Sequence, residues 1–322
     1  MKSRNVVFMA AACLVLLTQA TSAAEFNWKG DLRVRTETRF TEGAATDTTN
    51  RNRIRMRYGF NSEISDNLTA YVNFATSTLT GSLGENNSTN QTFTNFQSYP
   101  IFLDQAYIIY RPSVEILERY KLYAGKMQNF FKTTQLMWDG DTNPDGLGHE
   151  YNLGAFVFRA SQWTQASGTL KPDLNTGIYG YQIGFMGEPV EVFISNYVDT
   201  SGTAANYWDL IGTLGLGDFK FTANYATETN TSKAGYIAWV DYKSVKAAGD
   251  WALKLGYNHY DDTFNPDMKD SDFGGPNIKG YILGFGYGIE NNMALNVTYL
   301  GRERVTDGLD RTTLQIDLNT KF

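Results

Sequence analysis

Three arginines stand at every second position of the segment Arg53-Ile54-Arg55-Met56-Arg57-Tyr58-Gly59-Phe60, with apolar residues between them. On an extended strand, successive side chains point to opposite faces. The three guanidiniums therefore share one face, and Ile54, Met56, Tyr58 and Phe60 share the other. Such a row can line a wet surface, attract anions or pair with acids on neighbouring strands. Other reactive residues are sparse. His149 and His259 are the only histidines and Cys13 the only cysteine, so a structural zinc site is not expected. Hydrolysis would need a nucleophile and a base in contact, oriented by a third group. His149 beside Glu150 is the one pairing on offer, and no serine has a recognisable motif around it, so no enzyme is expected. Asp141-Thr142-Asn143-Pro144-Asp145-Gly146 follows the first half of a calcium loop, D-x-N-x-D-G, whose alternate oxygens can wrap a hard cation. A complete loop wants a glutamate at its twelfth position, where Asn152 stands, and flanking helices. A tight turn is the blander reading. Asp141, Asn143 and Asp145 remain a weak calcium candidate, and no cofactor is expected.

The alternation recurs along the chain. Phe219, Phe221, Ala223 and Tyr225 share a face, as do Trp251, Leu253, Leu255 and Tyr257, and Met293, Leu295, Val297 and Tyr299. In the last segment Leu314, Ile316, Leu318 and Phe322 oppose Gln315, Asp317, Asn319 and Lys321. A soluble sandwich would alternate too, but the apolar face here is rich in Tyr, Phe and Trp near strand ends, as in the aromatic girdles of membrane barrels. Short turns such as Ser65-Asp66-Asn67, Gly187-Glu188-Pro189, Gly217-Asp218, Ala247-Ala248-Gly249-Asp250 and Glu290-Asn291-Asn292 alternate with longer polar stretches such as Thr78 to Pro100 and Thr263 to Asn277. Short turns on one side and long loops on the other mark the two ends of an outer-membrane barrel. Both termini then lie at the short-turn end, which requires an even number of strands. Placing two strands between 142 and 175, at about 146–152 and 155–164, restores the alternation and gives sixteen. The expectation is all-β: a 16-stranded antiparallel transmembrane barrel with short periplasmic turns and longer extracellular loops. An arginine facing lipid at the midplane costs roughly 2–4 kcal/mol. Three on one strand would cost roughly 6–12 kcal/mol, so Arg53, Arg55 and Arg57 must face inward. Sixteen strands leave a water-filled channel inside.

Lys2 and Arg4 precede an apolar run from Val6 to Leu17, followed by Thr21-Ser22-Ala23-Ala24. This is the pattern of a secretory signal peptide, cleaved after Ala24. Residues 1–24 are expected to be removed, leaving 25–322 as the barrel. A lipoprotein reading of Cys13 is disfavoured because Leu14 to Leu17 continue the apolar core past it. Lys2 and Arg4 leave with that segment, so the formal charge moves from -6 to -8 and no cysteine remains for disulfides. The mean hydropathy of -0.36 and the lack of any apolar run of about 18 residues exclude a helical multi-span protein. The acidic balance argues against nucleic acid as a partner, and 20 Tyr, 20 Phe and 6 Trp argue against disorder.

The arginine strand "RNRIRMRYGF" followed by "ISDNLTAYVNFAT", the segment "LDQAYIIYRP" before "KLYAGKMQNFF", the loop "MWDGDTNPDGLG" and the terminal Phe322 together resemble Gram-negative outer-membrane porins. More narrowly, they resemble a family of sixteen-stranded putative porins. Lys126 in "KLYAGKM" departs from the arginine of many relatives. The resemblance implies a third extracellular loop folded inward to narrow the pore, an insertion signal at Phe322, and a homotrimer in some relatives. It also implies outer-membrane lipids, lipopolysaccharide and the barrel-assembly machinery as partners. On this reading Asp139, Asp141, Asp145 and Glu150 of the loop would face a basic wall of Arg33, Arg35, Arg39, Arg53, Arg55 and Arg57. Opposed charges across a narrow lumen set up a transverse field that favours polar solutes. The plainer alternative is that these arginines pair with acids on neighbouring strands, such as Glu37, Glu63 or Asp104. The expected function is a diffusion channel for small hydrophilic solutes and ions. The alternatives are a sugar- or anion-selective channel and a structural surface barrel. Tyr71, Trp239 and Tyr260 are too scattered in sequence to suggest an aromatic slide for sugars.

Overall fold

The computed structural model describes residues 25–43, 48–76, 89–93, 99–164, 177–200, 205–264, 266 and 276–322. The expected signal peptide lies outside these residues, as does most of the stretch from Thr78 to Pro100. In chain order the strands are β1 (Phe26–Thr41), β2 (Thr48–Ser65), β3 (Leu68–Thr76), the two-residue β4 (Gln91–Thr92), β5 (Ile101–Tyr110), β6 (Tyr120–Lys126), β7 (Asp145–Leu153) and β8 (Phe156–Thr164). The second half comprises β9 (Gly177–Met186), β10 (Val190–Asp199), β11 (Asn206–Leu216), β12 (Phe219–Glu228), β13 (Ala234–Tyr242), β14 (Trp251–Tyr260), β15 (Ile278–Glu290), β16 (Met293–Arg304) and β17 (Asp310–Lys321). Neighbours pair antiparallel, and β17 closes on β1 with Val34 opposite Leu318. β4 is not a stave of the barrel. It pairs with the upper part of β2, Arg53 opposite Thr92. The closed wall thus has the sixteen staves that the alternation predicts, with β7 and β8 as the expected pair, joined at Gly154 with φ 60°.

Lipid offers the backbone no hydrogen-bond partner, so a spanning sheet must close on itself. The alternation of side chains decides which face meets lipid. Ile183, Leu255 and Tyr281 point outward and are 57%, 53% and 61% exposed, which suits a hydrocarbon surround and would be costly in water. Rings gather where the termini meet: Trp28 stacks on Tyr58 at 5.2 Å between ring centres, and Phe60 packs edge-on to Trp28 at 4.8 Å. Phe322 completes the seam. Its carbonyl accepts from the Gly30 N–H at 2.8 Å, and its N–H donates to the Gly30 carbonyl at 3.1 Å. Its ring lies where a side chain on residue 30 would stand, 2.3 Å from the position of such a Cβ.

Two details depart from expectation. The connection from β13 to β14 runs from Lys243 to Asp250, longer than the turn at Ala247–Asp250. Strands β1 and β2 have 16 and 18 residues, beyond the roughly 9–11 needed to span. Their outer ends pass the apolar belt, and the outward face there turns polar. Thr36 Oγ1 donates to Asn52 Oδ1 at 2.9 Å, and Thr38 Oγ1 to Asn50 Oδ1 at 2.8 Å.

Candidate functional site

The segment 127–144 between β6 and β7 is the third of the long connections and carries large apolar residues. Met127, Leu136 and Met137 have no exposed surface, and Phe131 and Trp138 are buried almost as fully. Phe131, Leu136, Met137 and Trp138 pack against the inner faces of strands running from β8, beside the loop's own β7, round to β14: Trp163 of β8, Ile178 of β9, Tyr197 of β10, Tyr207 of β11, Ile237 of β13 and Tyr260 of β14, while Met127 packs with Ile109 and Tyr123. A loop held above the rim would leave these rings in water, so the loop lies inside. Trp138 and Trp163 meet at 4.8 Å, Phe131 and Trp163 at 5.3 Å, and Phe130 stacks on Tyr123 at 4.5 Å. Close approach needs missing side chains beneath: a Cβ on Gly148 would lie 2.3 Å from the Phe130 ring, and one on Gly235 2.7 Å from Leu136.

Polar anchors fix the same path. The Lys132 N–H donates to Gln182 Oε1 at 2.9 Å, and Gln182 Nε2 returns a bond to the Lys132 carbonyl at 2.7 Å. Thr134 Oγ1 donates to Asn224 Oδ1, whose Nδ2 donates to Asp209 Oδ1. Trp138 Nε1 donates to the Thr142 carbonyl at 2.9 Å. The rings of the inner wall are thus more connected than their sequence spacing suggests. Tyr260 is consumed in seating the loop. Tyr71, by contrast, stacks on Tyr107 at 4.7 Å on the adjoining wall.

The arginine wall is set by strand register. Arg33 stands opposite Arg55, and Arg35 opposite Arg53. All of these side chains point inward, as the lipid argument requires. Arg35 makes a two-pronged pair with Asp317 of β17, Nε to Oδ1 at 2.7 Å and Nη2 to Oδ2 at 2.9 Å. Glu37 is fully buried and takes Arg51 Nε and Arg39 Nε at 2.6 Å each, Arg53 Nη1 at 3.7 Å, and Gln315 Nε2 at 2.9 Å. Asp31 bridges Arg55 Nη2 at 3.0 Å and Arg57 Nε at 2.9 Å. The plain alternative of cross-strand pairing therefore holds alongside the inward orientation, although Asp31 and Asp317, not Glu63 or Asp104, are partners beside Glu37.

The returning limb of the loop comes directly onto this wall. Asp141 Oδ1 accepts from Arg55 Nη1 at 3.2 Å and Arg57 Nη1 at 3.3 Å, and Oδ2 accepts from Thr89 Oγ1 at 2.7 Å. Burial pushes the Asp141 carboxyl up, but Arg55, the Thr89 hydroxyl, Arg57 and Arg33 outweigh it and hold it below the usual carboxylate range. Asp139 caps the turn, its Oδ1 accepting from the Asp141 N–H at 2.8 Å. The expected arrangement of acidic loop and basic wall facing each other across open water needs correction in two respects. Asp141 touches the arginines instead of facing them. Asp145 and Glu150 belong to strand β7, not to the loop. Asp145 is exposed and lies 3.7 Å from Lys126 Nζ, while Glu150 binds Lys121 Nζ at 2.8 Å and Arg159 Nε at 2.9 Å.

The calcium candidate residues do not converge on one point. Asn143 Nδ2 donates to Asp104 Oδ1 at 2.8 Å, and Asn143 Oδ1 accepts from Gln105 Nε2 at 3.1 Å. With Asp141 on the arginines and Asp145 on the strand, the three residues engage separate partners. The histidines lie apart on the outer wall: His149 Nδ1 is 2.5 Å from the Tyr120 hydroxyl, and His259 Nε2 is 3.1 Å from Asp261 Oδ1.

The comparisons with known proteins agree with this geometry. A family model described as "Putative porin" matches residues 19–170 and 208–322. No curated protein matches the sequence. Among solved structures, the high-pH structure of Pseudomonas putida OprB superposes with a TM-score of 0.68 at 11% identity, covering 98% of this chain and 97% of that one. Salmonella typhi OmpF, in complex with daunomycin, gives 0.62 at 11% identity over 93% of this chain and 98% of that one. A triple mutant of the Rhodopseudomonas blastica porin gives 0.59 at 10% identity over 92% of this chain and 100% of that one.

Proposed function

Because the chain belongs to this porin family, and so forms a channel in the bacterial outer membrane, we propose that it passes small hydrophilic solutes by diffusion with a preference for anions. One observation carries the preference. Among the described residues of this wall there are seven inward guanidiniums, Arg33, Arg35, Arg39, Arg51, Arg53, Arg55 and Arg57, and all of these but Arg33 pair with one or more of four carboxylates, Asp31, Glu37, Asp141 and Asp317. The surplus lies in a confined lumen, where low-dielectric walls focus its field and raise the local concentration of counter-ions. Arg33, Arg35, Arg39, Arg53, Arg55 and Arg57 are assigned to the pore lining, and Asp141 is the loop acid that tunes it. A sugar-selective reading would need rings open to the lumen, and most of the inner rings bed the loop instead.

The family and fold are those of a channel rather than an enzyme. We further propose that residues 1–24 are cleaved and that Phe322 serves as the insertion signal read by the barrel-assembly machinery. The mature barrel would assemble as a trimer among outer-membrane lipids and lipopolysaccharide. These points rest on the sequence pattern and the family resemblance. Reversal potential across a planar bilayer in a potassium chloride gradient tests the central proposal. The expected sign is that of chloride carrying more current than potassium, and a potassium-selective channel would refute it.

A further inference from the structure

Arg33 differs from the other wall arginines. Among the described residues its one hydrogen bond goes from Nη2 to Asn90 Oδ1, and no carboxylate lies within ion-pair distance of it. It stands directly opposite Arg55 on β2, with Arg35 and Arg53 forming the next rung. Like charges directly opposite on paired strands repel, and side chains so paired are close enough to share one ligand. Both Arg33 Nε and Arg55 Nε are buried without an acceptor. Arg55 already shows what these guanidiniums take, since Asp141 and Asp31 bring carboxylate oxygens to it at 3.2 and 3.0 Å. Thr89 and Asn90, both buried, roof the rung from the side of the β3–β5 connection.

We propose that the Arg33–Arg55 rung is a binding site for a small oxyanion, a phosphate or the carboxylate of an organic acid, which supplies the charge that Arg33 lacks opposite it and acceptors for the two buried Nε groups. Planar guanidiniums match the paired oxygens of such ions better than chloride does. The inference deepens the anion preference and rests on it. The channel would hold phosphate on its way through rather than pass it as a featureless ion.

The test uses the barrel purified from outer membranes. Labelled inorganic phosphate is equilibrated with protein in detergent micelles, and in parallel phosphate is added to channels carrying chloride current in a bilayer. We expect saturable phosphate binding and a saturable block of chloride current. Arg33→Gln should weaken both by about tenfold or more, since it removes a charge-assisted contact. Arg33→Lys keeps the charge but loses the planar fork, and should weaken them less. An absence of saturable phosphate binding would overturn the assignment, as would binding unchanged in both variants. Chloride preference without phosphate saturation would remove the site and leave the channel reading intact. Phosphate binding by a protein that conducts nothing would do the reverse.

Discussion

Asp141 is the residue on which the loop and the wall depend together. Its carboxylate holds Arg55, Arg57 and Thr89 at once, and charge-assisted bonds of this kind contribute about 1.5–3 kcal/mol each. Asp141→Asn should enlarge the arginine surplus by one and loosen the tether. The expected outcome is a reversal potential moved further toward chloride, with a rise in single-channel conductance. Unchanged values of both would detach Asp141 from the constriction. The pH dependence follows from the lowered carboxyl of Asp141. A depressed folded value means that the tether contributes fully above the ordinary aspartate pKa of about 3.9 and is lost as pH falls through the lower folded value. Conductance and selectivity should therefore hold from neutral pH down to about 4, then change. A transition centred near pH 6 would point to another group.

At the scale of elements, the wall is legible in the sequence and the path of the loop is not. Alternation over Arg53 to Phe60, or over Leu314 to Phe322, fixes a strand and its two faces because the period of a strand is two. The cost of an arginine in lipid then decides which face is inside. Which acid meets which arginine depends on register across the seam, as when Arg35 reaches Asp317. No local pattern encodes that pairing. Proximity in sequence groups Asp145 and Glu150 with a loop that in fact ends before them. A better signal lies in the same stretch. Phe130, Phe131, Leu136, Met137 and Trp138 are too apolar for an exposed loop, and their burial is what carries the chain inward. Gly235→Val should push against Leu136 and Phe264. Overpacking of this kind costs about 1–3 kcal/mol. We expect a lower unfolding temperature in detergent together with larger, noisier conductance steps. A variant with wild-type conductance would show that the seat beneath Leu136 does not hold the loop.

The whole molecule is acidic, with a formal charge of -6, yet one wall of its lumen carries a surplus of cations. Net charge is therefore a poor guide to the selectivity of such a barrel, because ions sample only the inner face. The two halves of the wall divide the work. Strands β8 to β14 provide the aromatic bed that seats the loop, and β1, β2 and β17 provide the charged rungs against which its returning limb comes to rest. This division requires the loop to lie across the interior, and that is the claim to test most directly. The described barrel contains no cysteine, and Cys13 lies in the segment proposed to be cleaved, so introduced thiols have no competitors within the barrel. With Thr134→Cys and Asn224→Cys combined, a short bifunctional thiol reagent should join loop to far wall in intact outer membranes. The joined channels should still conduct. If the two thiols fail to cross-link while the one introduced at position 134 reacts freely with a bulky reagent from outside the cell, the loop lies above the rim and the account is wrong.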